Sequence, residues 1–149
     1  MTTVKGNIFN ALERGEIQVM LHVCNNKSVM GAGIALEVKT RYPNAYYNYV
    51  NYGLANGGLA LGTISTSECV INLHAQDGYG NVGPRYVNYE SLYVSLDRAR
   101  DWCTQNRINS VGVPYGMGAC RAGGDWNVVC AMVESAFDDS GINLTVYKL

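Results

Sequence analysis

The chain has little of what most metal, disulfide or nucleic-acid sites require. It holds two histidines, His22 and His74, far apart and at no zinc-binding spacing, so no metal is expected. Its five cysteines, Cys24, Cys69, Cys103, Cys120 and Cys130, are odd in number and include no Cys-x-x-Cys pair. They read as reduced, mostly buried thiols, which fits an intracellular protein. There is no excess of positive charge: 11 Lys plus Arg stand against 12 Asp plus Glu, a net charge of -1. This argues against a general nucleic-acid binder, whose affinity rests on many phosphate contacts, but not against a small anion held by backbone amides. No apolar run is long enough to span a bilayer, and residues 1–5 lack the layout of a signal peptide. A soluble, cytoplasmic monomer with no membrane partner is expected. Repeats, linkers and low-complexity tracts are also missing, so residues 1–149 read as a single domain.

What is present centres on one stretch. An apolar run over 17–23, broken by Gln18 and His22, reads as a buried strand. A helical pattern over 34–41 follows, with Ile34, Ala35, Val38 and Tyr42 on one face. Between them lie Asn25, Asn26, Ser28 and Gly31-Ala32-Gly33. Strand, small-residue loop and helix together present backbone N–H groups and a helix N-terminus to an anion, usually a phosphate.

The rest of the chain repeats this alternation. Residues 3–5 form a short strand, and Asn7 sits either in a plain turn or at a ligand edge. Residues 11–15 make a short turn or helix. Pro43 starts a second helix whose tyrosines, Tyr46, Tyr47, Tyr49 and Tyr52, pack over the sheet or stack on a base. Residues 63–65 and 69–74 are neighbouring strands, and the polar loop 75–81, ending at Asn81, serves either function or turn chemistry. Asn88 caps a helix with Leu92, Leu96, Ala99 and Cys103 inward. A strand over 110–113 runs into a second glycine-rich loop over 114–125, then a helix from Trp126 and a closing strand over 144–147. Strands alternating with helices mean an α/β fold with a largely parallel sheet. Ligands in such sheets sit beyond the strand carboxyl ends, which is where three polar or glycine-bearing loops lie.

These residues resemble a known family. Gly6-Asn7-Ile8-Phe9, Val23-Cys24-Asn25-Asn26 with Met30-Gly31-Ala32-Gly33-Ile34-Ala35, and Pro114 with Met117-Gly118-Ala119-Cys120 before Trp126 are similar to the macro domain, over nearly the whole chain. The likeness is greatest to the branch of ADP-ribose-1″-phosphate phosphatases and the terminal ADP-ribose protein glycohydrolase. It implies a three-layer macro-domain fold, a mixed, mostly parallel central sheet with helices on both faces, and an ADP-ribose pocket needing no cofactor. By that resemblance Gly31, Ala32, Gly33 and Ile34, flanked by Met30, hold one phosphate. Met117, Gly118, Ala119, Cys120, Arg121 and Ala122, following Pro114, hold the other. Asn25 matches the asparagine at the distal ribose, where an amide can donate to one hydroxyl and accept from another. Asn7, between Gly6 and Ile8, stands where many members carry an aspartate that binds the adenine amino group. Tyr147 and Leu149 are further adenine neighbours.

The catalytic groups depart from the family. One hydrolase branch has an aspartate after the first glycine loop, where this chain has Ala35, and the glycohydrolase lysine falls at Ala75-Gln76. A Schiff-base mechanism therefore does not carry over. His22 matches a histidine of the phosphatase-like branch and is either a proton-transfer group or a histidine satisfied inside the sheet. Asp77 orients a water or makes an Asp-Gly turn, and Asp125 assists or simply caps a helix. The expected function is a hydrolase acting at the distal ribose of ADP-ribose-1″-phosphate, or on ADP-ribosylated protein or nucleic acid. The alternatives are a non-catalytic ADP-ribose-binding module and, more remotely, a binder of another nucleotide.

Overall fold

The computed structural model describes residues 1–80 and 85–149; Asn81, the last residue of the expected polar loop, lies outside them. Strands and helices alternate as β1 (Thr2–Lys5), α1 (Ile8–Arg14), β2 (Val19–Asn25), α2 (Gly33–Arg41), α3 (Pro43–Ala55), β3 (Thr63–Thr66), β4 (Val70–Gln76), α4 (Tyr89–Gln105), β5 (Ser110–Pro114), α5 (Trp126–Ala136) and β6 (Asn143–Lys148). Local chemistry explains most of the boundaries. Asn7 begins α1 by accepting from Phe9 N at 2.8 Å, and Gly15, at φ 74°, ends it. The helix thus starts three residues before the short turn or helix expected over 11–15. Pro43 opens α3 directly after α2, because its missing N–H costs nothing in a first turn. Asn88 caps α4 through Ser91 N at 2.9 Å.

The six strands lie in the order β1-β6-β5-β2-β4-β3, all parallel except the antiparallel β3–β4 pair. Side chains alternate between faces. Val19, Leu21, Ile71 and Leu73 join the core under α4 and α5, whereas Met20, Cys24 and Val70 join the core under α1, α2 and α3. This is the three-layer arrangement, with helices on both faces of a mixed sheet. Strand β2 runs over 19–25, two residues later than the apolar run suggested. Ile17 is buried in the lead-in, where Gln18 Oε1 accepts from Asn109 N and Ser110 N at 2.8 and 3.0 Å. At its far end β2 continues beside β4, Asn25 opposite Gln76 after a bulge. No helix among the described residues is long and apolar enough to cross a membrane.

The central strands set the site. β2 pairs with β5 only at Val19↔Val111 and Met20↔Gly112, yet β2 runs on to Asn25 and β5 to Pro114. The chain leaves β2 toward β4 and leaves β5 toward β6, so the sheet order reverses between them. A crevice opens at such a switch point, beyond the carboxyl ends of the strands.

Candidate ADP-ribose pocket

A cavity of about 750 Å³ occupies that crevice, a size ordinary for a small-molecule site. The first glycine loop forms one wall. Gly33 opens α2 at φ 58°, a left-handed angle that glycine adopts without strain. Ala32, extended at the N-cap, offers no side-chain cap, and α2 has no acidic residue in its first turn. The N–H groups of Gly31, Ala32 and Gly33 find no protein acceptor among the described residues, and all three residues line the cavity. Unsatisfied amides at a helix start form an anion site.

The second wall is the loop over 114–125. It is a series of turns: Met117 N bonds Pro114 O at 3.0 Å, Ala119 N bonds Gly116 O at 2.8 Å, and Gly124 N bonds Gly118 O at 2.9 Å. Gly116 and Gly118 have φ of 79° and 75°. Arg121 joins the walls, since its Nε lies 3.3 Å from where a Cβ on Gly33 would stand. No carboxylate pairs with Arg121 among the described residues, and Arg121 lines the cavity.

The expected binding residues converge well. Asn7, Ile8, Asn25, Gly31, Ala32, Gly33, Ile34, Pro114, Met117, Gly118, Cys120, Arg121, Ala122 and Tyr147 all line the cavity, as does Leu149. Gly6, Met30 and Ala119 do not. Gly6 N is tied to Lys148 O at 2.8 Å, Met30 is packed in the core, and Ala119 N is held by Gly116 O.

Of the expected catalytic groups, only His22 reaches the cavity wall. It is 2% exposed, and burial lowers its pKa to about 4 against the opposing effect of Asn72, so the ring is neutral at pH 7. Its Nε2 lies 2.6 Å from Asn72 Oδ1. Cys24 Sγ is 3.4 Å from that same nitrogen, but burial pushes the thiol well up, and a neutral thiol is a poor nucleophile. Asp77 is exposed at the rim, where Asn26 Nδ2 donates to it at 3.1 Å. Asp125 caps α5, accepting from Asn127 N at 2.8 Å, and does not line the cavity.

Two amides behave differently from the sequence expectation. Asn25 Oδ1 already accepts from Lys27 N (2.9 Å), Tyr49 Oη (2.8 Å) and, weakly, Val29 N (3.4 Å), while Nδ2 donates to Val29 O at 2.8 Å. One Nδ2 hydrogen remains, so the side chain has a donor left to offer but no free acceptor. Asn7 Oδ1 is likewise engaged by Phe9 N.

Several wall residues fall outside the sequence expectation. Gln76 stands opposite Asn25, and Tyr79 and Gly80 lie at the same end. Strand pairing brings Gln76 there, and Tyr79 and Gly80 follow in the polar loop over 75–81 that the sequence offered for either function or turn chemistry. Glu37 also lines the wall, held by Arg41 Nε at 2.8 Å. It lies on the turn of α2 after Ile34, which helical spacing could have shown. Tyr115 and Lys148 complete the other end, with Lys148 Nζ 4.3 Å from the Tyr115 ring centroid. No group of three His, Cys, Asp or Glu side chains suited to a metal exists among the described residues.

Known proteins resemble this chain in sequence and in fold. No family model matches the chain. The human ADP-ribose glycohydrolase OARD1 is 26% identical over 154 residues, covering 100% of this chain and 91% of that protein. Among solved structures, the macrodomain of Thermus aquaticus DarG superposes with a TM-score of 0.80 at 22% identity, over 99% of this chain and 97% of that one. The macrodomain of Mycobacterium tuberculosis DarG gives 0.74 at 24% identity, with the same coverages. The chain has the macrodomain fold, as the resemblance implied.

Proposed function

We propose that this pocket binds ADP-ribose and that the chain is a hydrolase acting at the distal ribose. One observation carries the proposal. The first glycine loop, whose Gly31, Ala32 and Gly33 amides find no protein acceptor among the described residues, faces the second glycine loop across one cavity, with Arg121 between them, an arrangement suited to a diphosphate. Ile8, Phe9, Ile34 and Tyr147 offer an apolar seat for adenine, and Asn25, Gln76 and Tyr79 surround the distal ribose. The human relative bears the name ADP-ribose glycohydrolase, which supports the hydrolase reading.

The strand end where the glycohydrolase branch carries its lysine holds Ala75-Gln76 here, and neither side chain can form an imine. Water then attacks C1″ of the distal ribose as the bond from C1″ to the leaving group breaks; the water's proton passes to the leaving group while the loops hold the diphosphate. The substrate is ADP-ribose-1″-phosphate or an ADP-ribosyl group on protein or nucleic acid. Mass spectrometry of products from ADP-ribose-1″-phosphate, ADP-ribosylated protein and ADP-ribosylated DNA identifies the leaving group. A second reading, a binding module without turnover, is favoured by the placement of Asp77 and Asp125 and by the buried, neutral His22. Absence of product from all three substrates establishes it.

The ligand itself is tested without catalysis. ADP-ribose at ~100 times its dissociation constant stabilises the native state by ~2.7 kcal/mol. For a chain of this size the melting midpoint rises by roughly 5 °C. AMP lacks the second phosphate and distal ribose, ribose-5-phosphate lacks the base, and both give smaller shifts at equal concentration. Equal shifts from all three mark a general anion site, and no shift with ADP-ribose removes the assignment.

A further inference from the structure

Beneath the pocket lies a polar layer that the proposed chemistry does not use. Asn72 Nδ2 donates to Ala45 O and Ser65 Oγ at 3.1 and 3.0 Å, which turns its Oδ1 toward His22 Nε2–H. The Ser65 hydroxyl then points to His74 Nε2 (2.8 Å), so His74 Nδ1–H donates to Thr63 Oγ1 (2.8 Å). No buried side-chain polar atom is left without a partner among the described residues. The rings of Tyr49 and Tyr52 roof this layer, 5.6 and 5.2 Å from His74 by centroid.

Tyr49 connects the layer to the pocket. It is fully buried in α3, and its single hydroxyl hydrogen is shared between two acceptors of one residue, Asn25 O at 2.6 Å and Asn25 Oδ1 at 2.8 Å. A phenol O–H shielded from water is a rigid donor, and burial pushes its pKa up, so it stays protonated. Bridging the backbone and side-chain oxygens of Asn25 restrains the amide plane, and Tyr49 itself does not line the cavity.

We propose that Tyr49 is a positioning residue for ligand recognition: it holds Asn25 with Oδ1 turned inward and one Nδ2–H presented to the pocket. The inference rests on the ADP-ribose reading, in which that hydrogen is donated to a hydroxyl of the distal ribose. The site then discriminates by a single oriented donor, and ligands ending before the distal ribose do not sense Tyr49.

Tyr49→Phe keeps the ring against His74 and removes only the hydroxyl. By calorimetric titration the variant binds ADP-ribose about 10-fold more weakly, the loss expected for one hydrogen bond. AMP binding is unchanged, and in an Asn25→Ala background Tyr49→Phe has no further effect. A merely structural role weakens both ligands alike or adds to the Asn25→Ala loss, and either result overturns the inference. If Tyr49→Phe does not fold, the wild-type Asn25 side-chain amide is followed by NMR. One Nδ2 hydrogen exchanges slowly and ADP-ribose, not AMP, shifts the pair; rapid exchange of both hydrogens overturns the assignment. Failure of the wild-type protein to bind ADP-ribose overturns the ligand reading as well. Normal wild-type binding with an unaffected Tyr49→Phe overturns this inference alone.

Discussion

Gly33→Val reduces ADP-ribose affinity by roughly 100-fold or more, equivalent to about 2.7 kcal/mol. Two effects combine. Gly33 sits at φ 58°, where a β-branched residue is a steric outlier, so the backbone must rotate and its N–H turns away from the phosphate site. The new side chain also meets Arg121, whose Nε and Cδ lie 3.3 and 3.7 Å from the ideal Cβ. The Arg121 side chain must shift, which disturbs a charge-assisted donor to the diphosphate. Gly57→Val is the control. Its φ of 70° imposes comparable strain, but nothing lies within 4 Å of its Cβ and it does not line the cavity. Both variants lose stability in a thermal melt, and only Gly33→Val loses affinity in a calorimetric titration. Unchanged affinity in Gly33→Val removes the first glycine loop from the pocket.

Acid destabilises the native state over the range from about pH 6.5 down to pH 4, before most carboxylates titrate. His22 and His74 have pKa values lowered from 6.5 to about 4, in both cases chiefly by burial. As pH falls the unfolded chain takes up these protons first, so stability is complete above pH 6.5 and declines toward pH 4. A displacement of this size corresponds to about 3 kcal/mol for His22, with a related but not additive amount for His74. Set against a total of roughly 5–15 kcal/mol for a domain, the loss is large. The layer around the two rings contains Asn72, Ser65, Thr63, Cys24 and Tyr49 and offers no carboxylate to hold an imidazolium. Urea denaturation at pH 7.5 and pH 4.5 measures the difference. A His74→Gln variant has a shallower pH dependence, and a flat wild-type profile means that the histidines are not buried neutral.

Much of the molecule is written in local chemistry. Asn88 and Asp125 precede apolar residues at helical spacing, and each side chain reaches an amide two or three residues on, so both caps follow from neighbours alone. Both glycine loops are legible for the same reason, because a run of small residues after an apolar strand has few other uses. Parallel strands alternating with helices then place those loops on one rim, and the sequence by itself determines the layered fold and most of the glycine-loop wall of the cavity.

Tertiary structure decided the states of the polar side chains. Nothing near Asn25 in sequence indicates that Tyr49, 24 residues away, holds its carbonyl oxygen, or that one amide hydrogen alone is left for a ligand. His22 reads equally well as a base or a core residue until Asn72 is found beside it and water is excluded. Asp77 and Asp125 share their loops with cavity-lining residues, yet one side chain meets Asn26 and the other turns back to its own helix. Gln76 enters the wall only because β2 and β4 pair in a register that puts it opposite Asn25. Residue type and spacing set which groups can bond, but burial and strand register set which partner each one finds, and those depend on residues distant in the chain.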